Sequence, residues 1–138
     1  MNIWVHWAEL QRERNRLWSA NYCLYSYLHP ERDWLLYLGK AGGATVKQRF
    51  SGDHKRRLFR DIRKEYGIEE VRVLVGVLEL EKGRYRTSEL LADVESLLII
   101  RLQPYGNISA TASRIERLGL RVHCIGAWPF KRISFRDV

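Results

Sequence analysis

Two short β-type runs on either side of a five-residue turn constrain the fold of this chain most strongly. Residues 21–28 and 34–39 are rich in Tyr, Leu and Trp, and the intervening stretch HPERD contains Pro30 and Asp33, which favour a turn. Two such runs joined by a short loop pair as an antiparallel hairpin. The hairpin is therefore the first element that any fold of this chain has to contain.

The predicted pairing brings two tyrosines together. If Leu28 and Trp34 close the turn, Tyr25 lies directly opposite Tyr37, and directly opposed side chains share one face with Cβ atoms about 5 Å apart. The second run continues into GKAGG, whose glycines permit unusual backbone angles or an ordinary turn. The tyrosine pair has two open interpretations, cross-strand packing and a chemical site.

Helical and β-type patterns alternate along the rest of the chain. Helices are predicted over residues 6–18, 46–50, 53–66, 87–102 and, with a weaker pattern, 110–118; strands are predicted over 71–80 and 120–125. Gly67 and Pro104 follow two of the helices and end them. No repeat or Pro/Gly/Ser linker interrupts this order, so residues 1–138 are predicted to form one α+β domain.

The charge balance points to a polyanionic partner. Twenty-four Lys and Arg against sixteen Asp and Glu give a net charge of +8, which attracts polyanions and in cytosolic proteins often indicates nucleic acid as the partner. A solvated basic surface is the alternative. Cys23 and Cys124 lie far apart in apolar runs and are predicted to be packing thiols in a reducing compartment. With no apolar run long enough for a membrane span and no signal-peptide pattern, the sequence predicts a cytoplasmic protein without membrane contact.

The stretch HKRRLFRDIRK, residues 54–64, contains six of the 24 Lys and Arg residues and one Asp. Leu58, Phe59 and Ile62 are predicted to face inward, which leaves a basic ridge on one flank of the helix. The ridge is either a solvated helix face or a track of phosphate contacts.

A carboxylate interrupts the apolar stripe of the helix predicted over 87–102. Glu95 has Leu91 four residues before it, Leu98 three after and Leu102 seven after, so all four share a face. A buried carboxylate needs a cation, a hydrogen-bond network or a metal, unless it lies at the core margin. Mg²⁺ commonly accepts a single protein carboxylate and takes waters and phosphate oxygens as its other ligands.

The order of these features resembles the GIY-YIG nuclease domain. CLY is followed twelve positions later by YLGK, then by VKQR, His54, Glu95 in its apolar helix and PYGN, over residues 22–107. The resemblance implies a small three-stranded antiparallel sheet flanked by helices, and one further short strand is predicted near the C-terminus. Around this core the chain is predicted to have an N-terminal helix and a C-terminal extension. The implied activity is endonucleolytic hydrolysis of phosphodiester bonds with one Mg²⁺ or Mn²⁺ ion.

The resemblance also implies roles for individual residues. Cys23 replaces the family's glycine, and leucine replaces isoleucine in both tyrosine motifs, but the polar positions are filled. The predicted catalytic residues are Tyr25, Tyr37, Lys40, Arg49, His54 and Glu95, with Glu95 as the metal ligand. The predicted nucleic-acid contacts are Gly39, Lys47, Lys55, Arg56, Arg60 and Asn107.

The side chains suit this chemistry, since a tyrosine acts as a base near neutral pH where positive neighbours favour its phenolate. Tyr25 and Tyr37 both remain candidates for the base, with Lys40 or His54 assisting. A non-catalytic nucleic-acid-binding module and a basic structural domain are the alternatives. DNA is the expected substrate, with either structure-directed or weakly specific cleavage, or specificity supplied by a homodimer or a partner protein.

Overall fold

A computed structural model describes residues 1–11, 15–110 and 119–137, apart from the side chains of 108–110. The helix predicted over 110–118 thus falls almost entirely outside the described residues. The described elements, in chain order, are β1 (Asn2–Leu10), a 3₁₀ turn (Arg16–Ser19), β2 (Cys23–Leu28), β3 (Leu35–Ala41), α1 (Val46–Phe50), α2 (Asp53–Tyr66), β4 (Arg72–Leu80), α3 (Ser88–Leu102), a second 3₁₀ turn (Tyr105–Ala110), β5 (Arg121–Gly126) and β6 (Ser134–Arg136).

The sheet is larger than the predicted three-stranded one. Across the described residues six strands form a single curled sheet in the order β3-β2-β4-β1-β5-β6. The β1–β5 pair is parallel and the other pairs are antiparallel, so the sheet is mixed. The prediction of a small antiparallel sheet is wrong because the two terminal segments, treated as additions to a core, add three strands to it.

The N-terminal helix predicted over residues 6–18 is also wrong. Ile3, Val5 and Trp7 are buried at every second position, the period of a strand, and β1 pairs with β4 on one side and β5 on the other. The spacing of three residues between Trp7 and Leu10 also fits one face of a helix, which is why the sequence predicts a helix. The segment is a strand because it pairs with another strand along each of its edges.

The register of the predicted hairpin differs from the expected one. Tyr27, and not Tyr25, lies opposite Tyr37, while Tyr25 lies opposite Gly39. The pairing shifts at an irregularity next to Leu28, and a hydrogen bond of 3.0 Å from His29 N to Trp34 O closes the turn around residues 30–33. The shift of two residues keeps the side-chain alternation, so all three tyrosines lie on one face.

Helices cover the two faces of the sheet. On one face, α1 and α2 pack Val46, Leu58 and Ile62 against a cluster that includes Tyr25 and Tyr27. On the opposite face, the apolar side of α3 packs against β1, β2 and β4. Strand β4 lies between β2 and β1, as its continuous apolar run predicts.

Local sequence signals define the helix ends. Thr45 and Gln48 form a capping box on α1, the Thr87 side chain caps α3, and Gly67 ends α2 in the left-handed conformation at φ 67°. Cys23 and Cys124 are buried free thiols, as predicted. None of the helices in the described part of the chain has the length and apolarity that crossing a bilayer requires.

Candidate active site

A pocket of about 380 Å³ lies at the edge of the sheet formed by β3, where the helical layers of the two faces approach each other. It brings together the six side chains predicted to be catalytic, although β2, β3, α1, α2 and α3 each contribute to it. Its lining residues are Tyr25, Tyr37, Lys40, Gln48, Arg49, Gly52, Asp53, His54, Lys55 and Glu95.

Tyr25 reaches this pocket across the backbone of β3. A Cβ placed on Gly39 would lie 2.6 Å from both Cζ and Oη of Tyr25, so a glycine is required beneath the ring. The centroids of the Tyr25 and Tyr37 rings are 6.1 Å apart. Gly42 and Gly43 have open space around them, and the glycine that shapes the site is therefore Gly39.

Lys55 is buried in the pocket, although the charge of its segment predicts an exposed position on the basic ridge of α2. It is 5% exposed, and its Nζ donates to Tyr25 Oη at 2.7 Å and to Tyr37 Oη at 3.3 Å. It therefore does not lie on the exposed ridge of α2. The sequence does indicate this position. Lys55 precedes Leu58 by three residues and Ile62 by seven, which places it on the apolar face of α2, just as the same spacing to leucines places Glu95 on the apolar face of α3.

The two tyrosines differ in accessibility and in acidity. Tyr25 is 2% exposed, whereas Tyr37 is half-buried and faces the pocket. Burial raises the pKa of both phenols. The hydrogen bond between their hydroxyls raises the pKa of Tyr25 further but lowers the pKa of Tyr37, as expected when Tyr25 donates and Tyr37 accepts. Tyr37 is therefore the better placed of the two to carry negative charge.

Burial lowers the pKa of Lys55 to about 8, and the positive charge of Arg49 adds to this effect while Glu95 opposes it. A buried amine with this pKa is partly neutral near physiological pH. It can accept a proton from a neighbouring phenol as well as donate to one. Lys55, Tyr25 and Tyr37 thus form a short chain along which a proton can move.

The carboxylate of Glu95 is half-buried and faces several cations. Burial raises its pKa, and the charge of Lys40, a hydrogen bond from the Lys40 backbone N–H, and the charges of Lys55 and Arg49 oppose that rise. The charged groups that act on Glu95 are therefore all cations. Arg49 and His54 are exposed at the rim, with the His54 ring 6.0 Å from that of Tyr37.

A metal ion would have one buried protein ligand here. Among the described residues no cluster of three or more His, Cys, Asp or Glu side chains is arranged to hold a metal. Glu95 fits an ion such as Mg²⁺ that takes one carboxylate and fills its other positions with water and phosphate oxygens. The surrounding cations oppose metal binding, so we expect the ion to bind well when a phosphate also occupies the pocket.

The remaining predicted contacts have different environments. Arg56 and Arg60 are exposed on α2. Lys47 is exposed on α1 but lines a separate cleft beside Trp18. Asn107 is buried, and its amide donates to Leu38 O and accepts from Leu38 N, both at 2.8 Å. Asn107 therefore secures the edge of β3 and does not reach the pocket.

No protein-family model, curated protein or solved structure matches this chain. The resemblance to the GIY-YIG nuclease domain thus rests on the motif residues themselves.

Proposed function

We propose that the protein is a metal-dependent endonuclease that hydrolyses phosphodiester bonds in DNA. The observation that carries the proposal is the convergence, in one pocket and from five elements, of two tyrosines that accept hydrogen bonds from one buried lysine, an exposed arginine and a half-buried carboxylate. Hydrolysis of a phosphodiester requires an activated water, positive charge on the phosphate and a proton for the leaving oxygen.

Arg49 binds the scissile phosphate in this mechanism. Its guanidinium is exposed at the pocket rim, and its planar fork matches two phosphate oxygens. Lys40 lies beside Glu95 and adds a second positive charge on the same side. Both charges stabilise the phosphate as negative charge accumulates on its oxygens.

Tyr37 is the proposed base. Tyr37 takes a proton from the attacking water while its own phenolic proton passes to the neutral amine of Lys55, so the water is activated without a free phenolate. Tyr25 keeps its own proton, donates to Tyr37 and holds the amine in place. His54, at the rim, is placed to hydrogen-bond the leaving oxygen, which takes its proton from solvent water.

Glu95 is the residue that would hold Mg²⁺ or Mn²⁺, and such an ion supplies positive charge to the phosphate oxygens. The net charge of +8 supports nucleic acid as the partner, and the free thiols support a cytoplasmic location. Sequence or structural specificity would come from a homodimer or a partner protein.

The test is cleavage of supercoiled plasmid DNA with Mg²⁺ or with EDTA. We expect nicking by wild type in Mg²⁺, no nicking in EDTA, and a loss of at least 100-fold in Glu95→Gln and Arg49→Ala. Glu89→Gln is the matched control, because Glu89 lies on the same helix but is exposed.

Binding without cleavage under every divalent ion tested would contradict the nuclease proposal and favour the non-catalytic binding module. A single-stranded or RNA substrate cut faster than the plasmid would revise the substrate and leave the mechanism in place.

A further inference from the structure

A second cleft lies on the same edge of the sheet, at the opposite end of β3 from the catalytic pocket. It has a volume of about 460 Å³, within the roughly 300–1,000 Å³ of small-molecule sites. Four of its side chains are aromatic. The lining residues are Asp33, Trp34, Leu35, Leu36, Tyr66, Leu102, Gln103, Tyr105 and Phe130.

Trp34 forms a partly exposed aromatic platform, against which Tyr66 packs at an interplanar angle of 54°. Trp34 is 45% exposed, and its ring centroid lies 5.8 Å from that of Tyr66, which in turn lies 5.3 Å from that of Tyr105. Arg32 places its guanidinium 4.8 Å from the Trp34 ring. A large aromatic surface left open to solvent beside a cation is the arrangement by which proteins stack bases of single-stranded nucleic acid.

Helix α2 connects this platform to the catalytic pocket. Lys55, in the first turn, lines the pocket, and Tyr66, the last helical residue, lines the cleft. Eleven residues of helix separate them, about 16 Å at ~1.5 Å per residue. Exposed cations occupy the helix between them, at Arg56, Arg57, Arg60, Arg63 and Lys64.

The polar groups of the cleft favour a base over a phosphate. The carboxylate of Asp33 lies 3.6 Å from the Arg72 guanidinium and can still accept hydrogen bonds from base amino groups, and the exposed Gln103 amide can both donate and accept. Phosphates are better placed on the cations of α2. The charges thus divide a bound strand into a backbone held by α2 and a base turned into the cleft.

We propose that this cleft stacks an unpaired nucleobase of the substrate strand whose phosphates follow α2, so that the enzyme selects DNA with a single-stranded segment beside the cleavage site. The inference deepens the proposed function and depends on it for the identity of the ligand. At ~3.4 Å per nucleotide in a stacked strand, the base lies within about five nucleotides of the scissile phosphate.

The test measures binding, separately from cleavage. Glu95→Gln protein is mixed with duplex DNA carrying a 5′ or a 3′ single-stranded tail, with one 2-aminopurine at successive tail positions. We expect tighter binding of one tailed duplex than of the blunt duplex, and quenching of 2-aminopurine at one or two neighbouring positions. Trp34→Ala and Tyr66→Ala should remove the quenching and weaken binding by roughly 5- to 100-fold.

Two variants control for folding and for general loss of an aromatic ring. Trp34→Phe retains a stacking surface and should restore most of the affinity. Tyr85→Ala removes a side chain that is 85% exposed between Arg84 and Arg86, on the loop from β4 to α3, and should bind like wild type.

Equal binding of tailed and blunt duplexes would overturn the inference, as would equal quenching in Trp34→Ala and Tyr85→Ala, even if plasmid is cut. Tail-dependent quenching that requires Trp34, in a protein that never cuts DNA, would support the cleft and refute the nuclease.

Discussion

The ring of Tyr25 lies over Gly39, so closely that a Cβ at position 39 would stand 2.6 Å from Tyr25 Cζ. Gly39→Ala must displace that ring and separate its hydroxyl from Lys55. We expect a loss of stability of about 1–3 kcal/mol by urea unfolding and at least a tenfold loss of cleavage rate. Gly43→Ala, in open space, should leave both measurements unchanged.

A Gly39→Ala variant as active as Gly43→Ala would show that the position of the Tyr25 ring does not matter for the reaction.

Tyr37→Phe should abolish cleavage while retaining the fold. Tyr37 is the more accessible phenol, and loss of a general base typically costs about 10²–10⁴-fold in rate. Tyr27→Phe is the matched control, because Tyr27 is stacked on Tyr37 and its hydroxyl has no hydrogen-bond partner among the described residues. Plasmid nicking and DNA affinity, measured for both variants, separate catalysis from binding.

If Tyr37→Phe and Tyr27→Phe cut equally well, the assignment of Tyr37 as the base would be wrong.

Lys55→Met should be more stable than wild type but should cleave DNA more slowly. Burial disfavours the charged amine, and Met fills a similar volume without charge, so we expect the free energy of unfolding at pH 7 to rise by about 1 kcal/mol. Cleavage should fall by 100-fold or more, because the proton acceptor for Tyr37 is gone. Lower stability combined with an unchanged cleavage rate would refute this role for Lys55.

The cleavage rate should rise with pH up to about 8. The pKa of Lys55 is lowered from its ordinary value of 10.5 to about 8, so below pH 8 the amine gains a proton and can no longer accept one. Below pH 8 the cleavage rate should fall about tenfold for each unit by which the pH is lowered, and above pH 8 it should level off. Single-turnover rates at saturating DNA and Mg²⁺ measure this dependence. In Lys55→Arg the change of rate with pH near 8 should disappear.

A rate that is independent of pH between 6 and 8 would mean that the Lys55 amine does not take part in the rate-limiting proton transfer.

Periodicity within single helices predicted part of this site and missed part of it for one reason. Glu95 is conspicuous because a carboxylate in a leucine stripe is unusual. Lys55 has the same relation to Leu58 and Ile62, but in a stretch crowded with Lys and Arg it looks like one more surface cation. Lys55 is recognised as buried only when each residue of the segment is assigned to the inward or outward face of the helix. The total charge of the segment does not show this.

The register of the hairpin depended on the turn. The alternation of side chains placed Tyr25 and Tyr37 on one face, which is right, but the irregularity at Leu28 made Tyr27 the residue opposite Tyr37. Strand alternation has a period of two and does not change with a shift of two residues. Turn length and bulges are set by backbone geometry that composition hardly encodes.

The sequence by itself determined the helices α1, α2 and α3, the hairpin and the central strand β4, because local periodicity and capping act over a few residues, and its motifs predicted six of the side chains that line the pocket. The tertiary structure alone decided that residues 2–10 form a strand, since the backbone hydrogen bonds of this strand are made with β4 and β5, which are distant in sequence. It also decided that the aromatic cleft shares one sheet edge with the candidate active-site pocket. Both are contacts between residues distant in sequence, and only the folded backbone brings them together.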